Sequence, residues 1–239
     1  MFDISILCPT KNRCEGLERM WLSAMNTADL PNNIELVVYI ENDDHNTLSK
    51  VEEFEKKFGN QIVKIVSSED VVYGDLHNIC CANSSADLFF CGADDMIFRT
   101  QAWDTSIKEV FKQYNDKIAY VYPNDGHWGS ELGTHGMFHK NWYNVLGYIT
   151  PAIFTVDYSD NYIMDISTEL GRAIYMSEIL VEHMHWTFGK SDFDQTAQEA
   201  HSRRKTTNNQ AVYQSDGTKQ LQVKDIEKLK NFIKLNMDT

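Results

Sequence analysis

From the N-terminus to about residue 122, short apolar runs ending in polar turns alternate with stretches whose apolar residues recur every three or four positions. The runs are Ile4-Ser5-Ile6-Leu7, Leu36-Val37-Val38-Tyr39-Ile40, Ile62-Val63-Lys64-Ile65-Val66, Leu88-Phe89-Phe90-Cys91 and Ile118-Ala119-Tyr120-Val121-Tyr122. Near-continuous apolarity over so few residues predicts strands buried on both faces. Between them, Leu17, Met20, Trp21, Ala24 and Met25 set a helical stripe over 14–27, and Leu48, Val51, Phe54 and Phe58 set a second that stops at Gly59-Asn60. Leu76, Ile79 and Cys80 predict a third helix over 75–83, and a fourth follows over 103–114. Such alternation makes an α/β chain with a mixed, mainly parallel sheet, right-handed crossovers and helices on both faces.

Beyond residue 122 the pattern changes. Residues 123–139 are rich in glycine, histidine and polar groups, including His127, Trp128 and His135, and predict a site-lining loop that runs into a strand. A short helix is expected over 141–147, a longer one over 160–170 and a strand over 179–185. After residue 190 the chain turns polar. Residues 202–222 predict a mobile segment, and 223–236 an amphipathic helix that ends a C-terminal helical appendage.

Candidate chemistry concentrates where the strands end. Asp94 and Asp95 follow the fourth run and Gly92. The carboxyl ends of strands in an open α/β sheet form the ligand crevice, and paired carboxylates there suit a hard cation that in turn holds phosphate oxygens. Adjacent aspartates also serve as turns or helix caps. The first two runs end in Pro9-Thr10-Lys11-Asn12-Arg13 and Glu41-Asn42-Asp43-Asp44, so three polar strand ends converge on one edge. On the last strand, His183 and His185 alternate and face one side, where one could ligate a metal and the other orient it.

At 239 residues the chain can bury a full core, and its net charge of −13, from 22 basic and 35 acidic side chains, argues against a general nucleic-acid or membrane-surface binder. No apolar run approaches the ~20 residues that cross a bilayer, and Met1-Phe2-Asp3 leads directly into the first strand, so a cytoplasmic protein without a signal peptide is expected. The five cysteines, Cys8, Cys14, Cys80, Cys81 and Cys91, lack metal-ligand spacing and are expected as reduced, mostly buried thiols. No G-x-G-x-x-G or P-loop follows the first strand, which disfavours a dinucleotide-dependent dehydrogenase.

Ser5-Ile6-Leu7-Cys8-Pro9-Thr10-Lys11-Asn12-Arg13, Ile40-Glu41-Asn42-Asp43-Asp44 and Gly92-Ala93-Asp94-Asp95 resemble three motifs of one family, in order. These are the opening strand, the acidic second strand end and the DxD region of nucleotide-sugar glycosyltransferases of the GT-A (Rossmann-like) fold, especially the inverting family 2 branch of small bacterial or phage type. The first DxD position is Ala93 here. The resemblance implies a GT-A domain over 1–190, with a nucleotide-binding half to about residue 100 and an acceptor half over 101–190, and 191–239 as an extension of it. It assigns Pro9, Thr10, Arg13, Glu41, Asp43 and Asn78 to the base and ribose, and Asp94 to the ribose or the metal. Asp95, with His183 or His185, would ligate Mn²⁺ or Mg²⁺, and Lys190 a phosphate. Tyr158-Ser159-Asp160-Asn161-Tyr162 is similar to the segment that supplies the catalytic base, which makes Asp160 the expected base and Asp157 the next choice.

The implied reaction is metal-dependent, inverting transfer of a sugar from a UDP-sugar to a hydroxyl acceptor. That acceptor is either a glycan or hydroxymethylated phage DNA, whose phosphates Arg203, Arg204 and Lys205 would touch. Two alternatives stay open: a nucleotidyltransferase built on the same paired acids, and an inactive module that binds sugar nucleotides or glycans. Nothing in the sequence specifies an oligomeric state.

Overall fold

The computed structural model describes residues 2–69 and 71–237. Strands β1 (Ile4–Thr10), β2 (Ile34–Glu41), β3 (Ile62–Ser67) and β4 (Leu88–Cys91) lie in the order β3-β2-β1-β4, all parallel. Helices α1 (Cys14–Thr27), α2 (His45–Phe58) and α3 (Tyr73–Ala82) make the crossovers. Alternate strand residues feed opposite layers, which is why the runs are apolar at consecutive positions. Ile6, Leu36 and Val38 pack with Leu17, Met20 and Trp21 on one face, while Leu7, Val37 and Tyr39 pack with Cys80, Cys81 and Trp142 on the other. Ile4 of β1 pairs with Ile34 of β2 and Leu88 of β4, so Thr10 and the residues after Cys91 emerge at the same edge.

The second half is mixed. Helix α4 (Trp103–Lys112), β6 (Tyr120–Asn124), β7 (Met137–His139), α5 (Lys140–Leu146), α6 (Ser159–Glu169) and β8 (Ala173–His183) follow β5 (Met96–Phe98). The sheet continues β4-β7-β6-β8-β5, with β7 antiparallel to β4 and β6, β8 parallel to β6, and β5 antiparallel to β8. Strands β5 and β7 have three residues each, too short to carry a readable alternation. Strand β8 starts well before the expected residue 179, because exposed Ser177 and Glu178 interrupt its apolar pattern where the β6–β8 register shifts.

The expectation of a mobile segment over 202–222 is corrected. Helices α7 (Gln195–Thr206), α8 (Asn209–Gln214) and α9 (Asp216–Met237) cover it, and α9 begins before Val223. Asp194 caps α7 by accepting from the Ala197 N–H, and Asn208 caps α8 through the Ala211 N–H. Asn209 accepts from the Thr155 N–H and hydroxyl, and fully buried Asp225 accepts from Tyr148 Oη at 2.5 Å and Tyr162 Oη at 2.8 Å. Tertiary hydrogen bonds order a stretch whose polar composition reads as disorder.

No described helix is long and apolar enough to cross a membrane. All five cysteines are free of disulfides. Burial pushes the thiols of Cys8, Cys80, Cys81 and Cys91 up, which removes them as nucleophiles near neutral pH.

Candidate functional site

A cavity of about 760 Å³ opens where the parallel strands end, lined by Pro9, Thr10 and Glu41 from β1 and β2, by Arg13 at the start of α1, by Asp94 and Asp95 after β4, and by Asp160, His183 and His185 from the second half. Asp94 is buried and accepts from Thr10 Oγ1 at 2.8 Å and Arg13 Nη1 at 3.1 Å. The same guanidinium holds Asp194, through Nε at 2.8 Å and Nη2 at 3.0 Å, so it ties the start of α7 to the paired carboxylates. Burial and the adjacent Asp95 charge push the Asp94 carboxyl up, against Arg13 and Thr10. Asp95 goes the other way: burial opposes its ionisation, yet the bond from His183 and the fields of His183, His135 and Arg13 hold it well below the usual carboxylate range.

Asp95, His135 and His183 form a cluster in which one ligand atom from each lies within 4.8 Å of the others. Asp95 Oδ2 is 3.4 Å from His183 Nε2, and the His135 ring stands edge-on to that of His183 with centroids 4.6 Å apart. The β5–β8 ladder sets this up: Met96 pairs with His183, and the Met184 N–H donates to the Asp95 carbonyl at 2.6 Å. Asp95 Oδ1, His135 Nε2 and His183 Nδ1 are buried without a hydrogen-bond partner in the protein. Buried polar atoms are almost always paired, and a divalent metal satisfies a carboxylate oxygen and two imidazoles together. Burial, helped by His183, lowers His135 to about 3, so it is neutral and in its ligating form at neutral pH. These residues fit a metal ion.

Sequence reasoning placed His135 in a site-lining loop but not among the metal ligands. Its only signal is its place in a loop between Gly133 and Gly136. Tyr120 donates from Oη to the Gly133 carbonyl at 2.7 Å, and a Cβ on Gly136 would lie 2.2 Å from the Tyr120 ring. Gly136→Ala is therefore expected to cost about 1–3 kcal/mol or more in stability and to displace His135, read as a lowered melting temperature with weaker metal binding. An unchanged melting temperature would show that the loop yields freely.

His185 lines the cavity 5.2 Å from the His183 ring, but its Nδ1 faces Thr187 Oγ1 at 2.7 Å and it stands outside the cluster. Three expected contacts lie elsewhere. Asp43 is exposed outside the cavity lining, in the turn whose next residue, Asp44, caps α2 through the Thr47 N–H. Asn78 is buried and fully used in bonds to Asp75, the Thr150 carbonyl and the Ile149 N–H. Lys190 pairs with Glu182 at 3.0 Å, also outside the lining. Glu41 does line the cavity, salt-bridged at 2.8 Å to Lys11, which reaches Glu199 of α7 at 3.2 Å.

Asp160 also lines the cavity, in the first turn of α6, where its Oδ1 accepts from the Asn161 N–H at 2.9 Å. Burial raises its carboxyl to about 6, backbone hydrogen bonds notwithstanding. Asp157 is engaged by Arg204, with Nε 2.9 Å from Oδ2 and Nη2 2.9 Å from Oδ1.

No protein-family profile matches this sequence, and no curated protein matches it. Solved structures do match in three dimensions. TarS from S. aureus aligns with TM-score 0.59 at 12% identity, over 77% of this chain and 37% of that one. The mannosyltransferase PcManGT from Pyrobaculum calidifontis, in complex with GDP-Man and Mn²⁺, aligns with TM-score 0.61 at 16% identity, over 76% of this chain and 57% of that one. A TarS fragment in complex with UDP aligns with TM-score 0.59 at 12% identity, over 75% of this chain and 59% of that one. The chain thus spans less than two thirds of each of these structures, and at such identities the likeness is one of fold. What it shares with them is the GT-A fold of nucleotide-sugar glycosyltransferases.

Proposed function

We propose that the chain transfers a sugar from a nucleoside-diphosphate sugar, first of all a UDP-sugar, to a hydroxyl acceptor with inversion at the anomeric carbon. One observation carries the reading: a single cavity holds a cation cluster at the strand ends and, on a separate helix, a carboxylate raised to about 6. Fold neighbours bound to GDP-Man with Mn²⁺ and to UDP support a nucleoside-diphosphate donor. Asp95 and His183, with His135 beside them, would hold a divalent metal ion, which when bound would neutralise charge on the departing diphosphate. Thr10 and Arg13 keep Asp94 fixed beside Asp95, and Pro9, Thr10 and Glu41 line the end of the cavity assigned to the base and ribose. The donor occupies the half built on β1 to β4, and the acceptor enters beside α6.

Asp160 is the base. As the acceptor oxygen bonds to the anomeric carbon and the bond to the diphosphate breaks, the hydroxyl proton passes to its carboxylate. Asp157 is the weaker candidate because its oxygens are already engaged by Arg204. A glycan suits the acceptor side better than DNA. Arg204 is spent on Asp157, and Arg203 and Lys205 sit in the last turn of α7, where basic side chains answer the helix dipole. Half-exposed Trp128 lines the cavity with Glu131 and Asp160, offering an aromatic face and carboxylate acceptors to a sugar ring.

The test is release of UDP from a panel of UDP-sugars with Mn²⁺, with and without EDTA and a free oligosaccharide. No turnover with any donor alongside tight nucleotide binding would replace the reading with a binding module. A pH profile adds a second check. A base raised to about 6 is ionised only above that pH, so at saturating metal and donor the transfer rate should reach a plateau above about 6 and fall about tenfold per unit below it. A rate constant from pH 5 to 8 would remove Asp160 from the role.

A further inference from the structure

We propose that His135 is a third protein ligand, so that the cluster takes up a transition-metal ion such as Mn²⁺ or Co²⁺ before and without any nucleotide, and discriminates against Mg²⁺. The inference deepens the cation site of the proposed function and rests on it only for location.

Three observations carry it. The unpartnered atoms do not belong to Asp95 and His183 alone: His135 Nε2 is buried and orphaned in the same cluster. A histidine present only to pack would be expected to turn that nitrogen toward a carbonyl, a hydroxyl or solvent.

The second observation is that the cluster is assembled by the protein itself. Asp125, buried, holds both histidine-bearing segments. Its carboxylate accepts from the Thr134 hydroxyl at 3.1 Å, from the His127 N–H at 2.9 Å and from the Trp128 N–H at 2.7 Å, which braces the loop ahead of His135. Its carbonyl accepts from the His183 N–H at 3.0 Å. On the other side the Cys91 N–H donates to the Gly136 carbonyl at 2.9 Å, which fastens the loop to the strand that leads into Asp95. No contact in this frame waits for a nucleotide.

The third is ligand chemistry. Mg²⁺ demands oxygen ligands and keeps several waters, so a carboxylate with two imidazoles is a poor match for it. Imidazole suits first-row transition ions, whose affinity for nitrogen sites rises from Mn²⁺ through Co²⁺. With one histidine the site would lean on nucleotide oxygens to hold its metal; with two it has enough protein ligands to keep the ion resident.

The experiment is calorimetric titration of the nucleotide-free protein with MnCl₂, CoCl₂ and MgCl₂, with the visible spectrum of the Co²⁺ form as a direct signature of imidazole ligation. One equivalent of Mn²⁺ or Co²⁺ should bind at least ~10² times more tightly than Mg²⁺, and His135→Ala should weaken both by ~10² or more, at or beyond the loss expected for an outer-shell change. His135→Asp should narrow the ratio of Co²⁺ to Mg²⁺ affinity. Circular dichroism establishes folding, and His135→Gln replaces the alanine variant if that one unfolds. The inference is overturned if Mn²⁺ binds only once UDP is added, if Mg²⁺ binds as tightly as Mn²⁺, or if His135→Ala titrates like the parent. Metal uptake with no sugar transfer would leave it standing and remove the glycosyltransferase reading; transfer with UDP-dependent metal uptake would do the reverse.

Discussion

Asp95→Asn is expected to lower donor turnover by ~10³-fold or more while the chain stays folded, which at ~1.4 kcal/mol per factor of ten is about 4 kcal/mol of lost transition-state stabilisation. The substitution is nearly isosteric, so its cost is electrical. Asp95 is the only carboxylate in the cluster and is held ionised by His183, His135 and Arg13. An amide there keeps one oxygen, loses the charge, and turns an N–H₂ toward the Arg13 guanidinium, which can only donate. Asp94 cannot stand in for it. That carboxylate is occupied by Thr10 and Arg13, and burial favours its protonated form. The measurement is UDP release with Mn²⁺ titrated to saturation, beside calorimetric metal binding and a melting curve. Turnover equal to the parent at matched metal would end the case for a cation site at residue 95. A collapsed melting temperature would instead show that the residue is needed to hold the β4–β5 turn, and Asp95→Glu, which keeps the charge, would then carry the test.

Asp160→Asn is expected to slow transfer by ~10²–10⁴-fold and to leave UDP and metal affinity unchanged. Asp160 is on α6, outside the Asp95, His135 and His183 cluster, so its loss should act chiefly on the acceptor step. The variant should also lose the limb of the pH profile below about 6 that the parent shows. An NMR spectrum of the first product reads the anomeric configuration. Inversion agrees with one carboxylate deprotonating the acceptor; retention would require another mechanism and sink the assignment. A loss of UDP affinity equal to the loss of rate would move Asp160 to the donor side.

Much of the strand-end edge of the cavity was legible in residue order because strand ends are local. Apolar runs announce β1, β2 and β4, and polar residues directly after them must emerge at the carboxyl edge of a parallel sheet, so Thr10, Arg13, Glu41, Asp94 and Asp95 could be placed near one another. His183 was legible for the same reason, at the end of β8. Asp43, Asn78 and Lys190 were misplaced by the same logic: neighbours in sequence, or polar groups near a site, are diverted by the cap at Asp44, the Thr150 carbonyl and Glu182.

What the sequence determined by itself is therefore the alternation of strands and helices, the parallel character of the first half, and which carboxylates stand at its edge, since each follows from periodicity and from the direction of a strand. Only the tertiary structure decided that His135 joins Asp95 and His183, that Arg13 ties Asp94 to Asp194, and that polar residues 195–237 form helices sealed by Asn209 and Asp225. Those decisions rest on contacts between residues 40 to 181 positions apart, made by short antiparallel strands and by hydrogen bonds between distant elements. A pairing of that kind is specified by the packing of the whole chain and leaves no period in the sequence to be read.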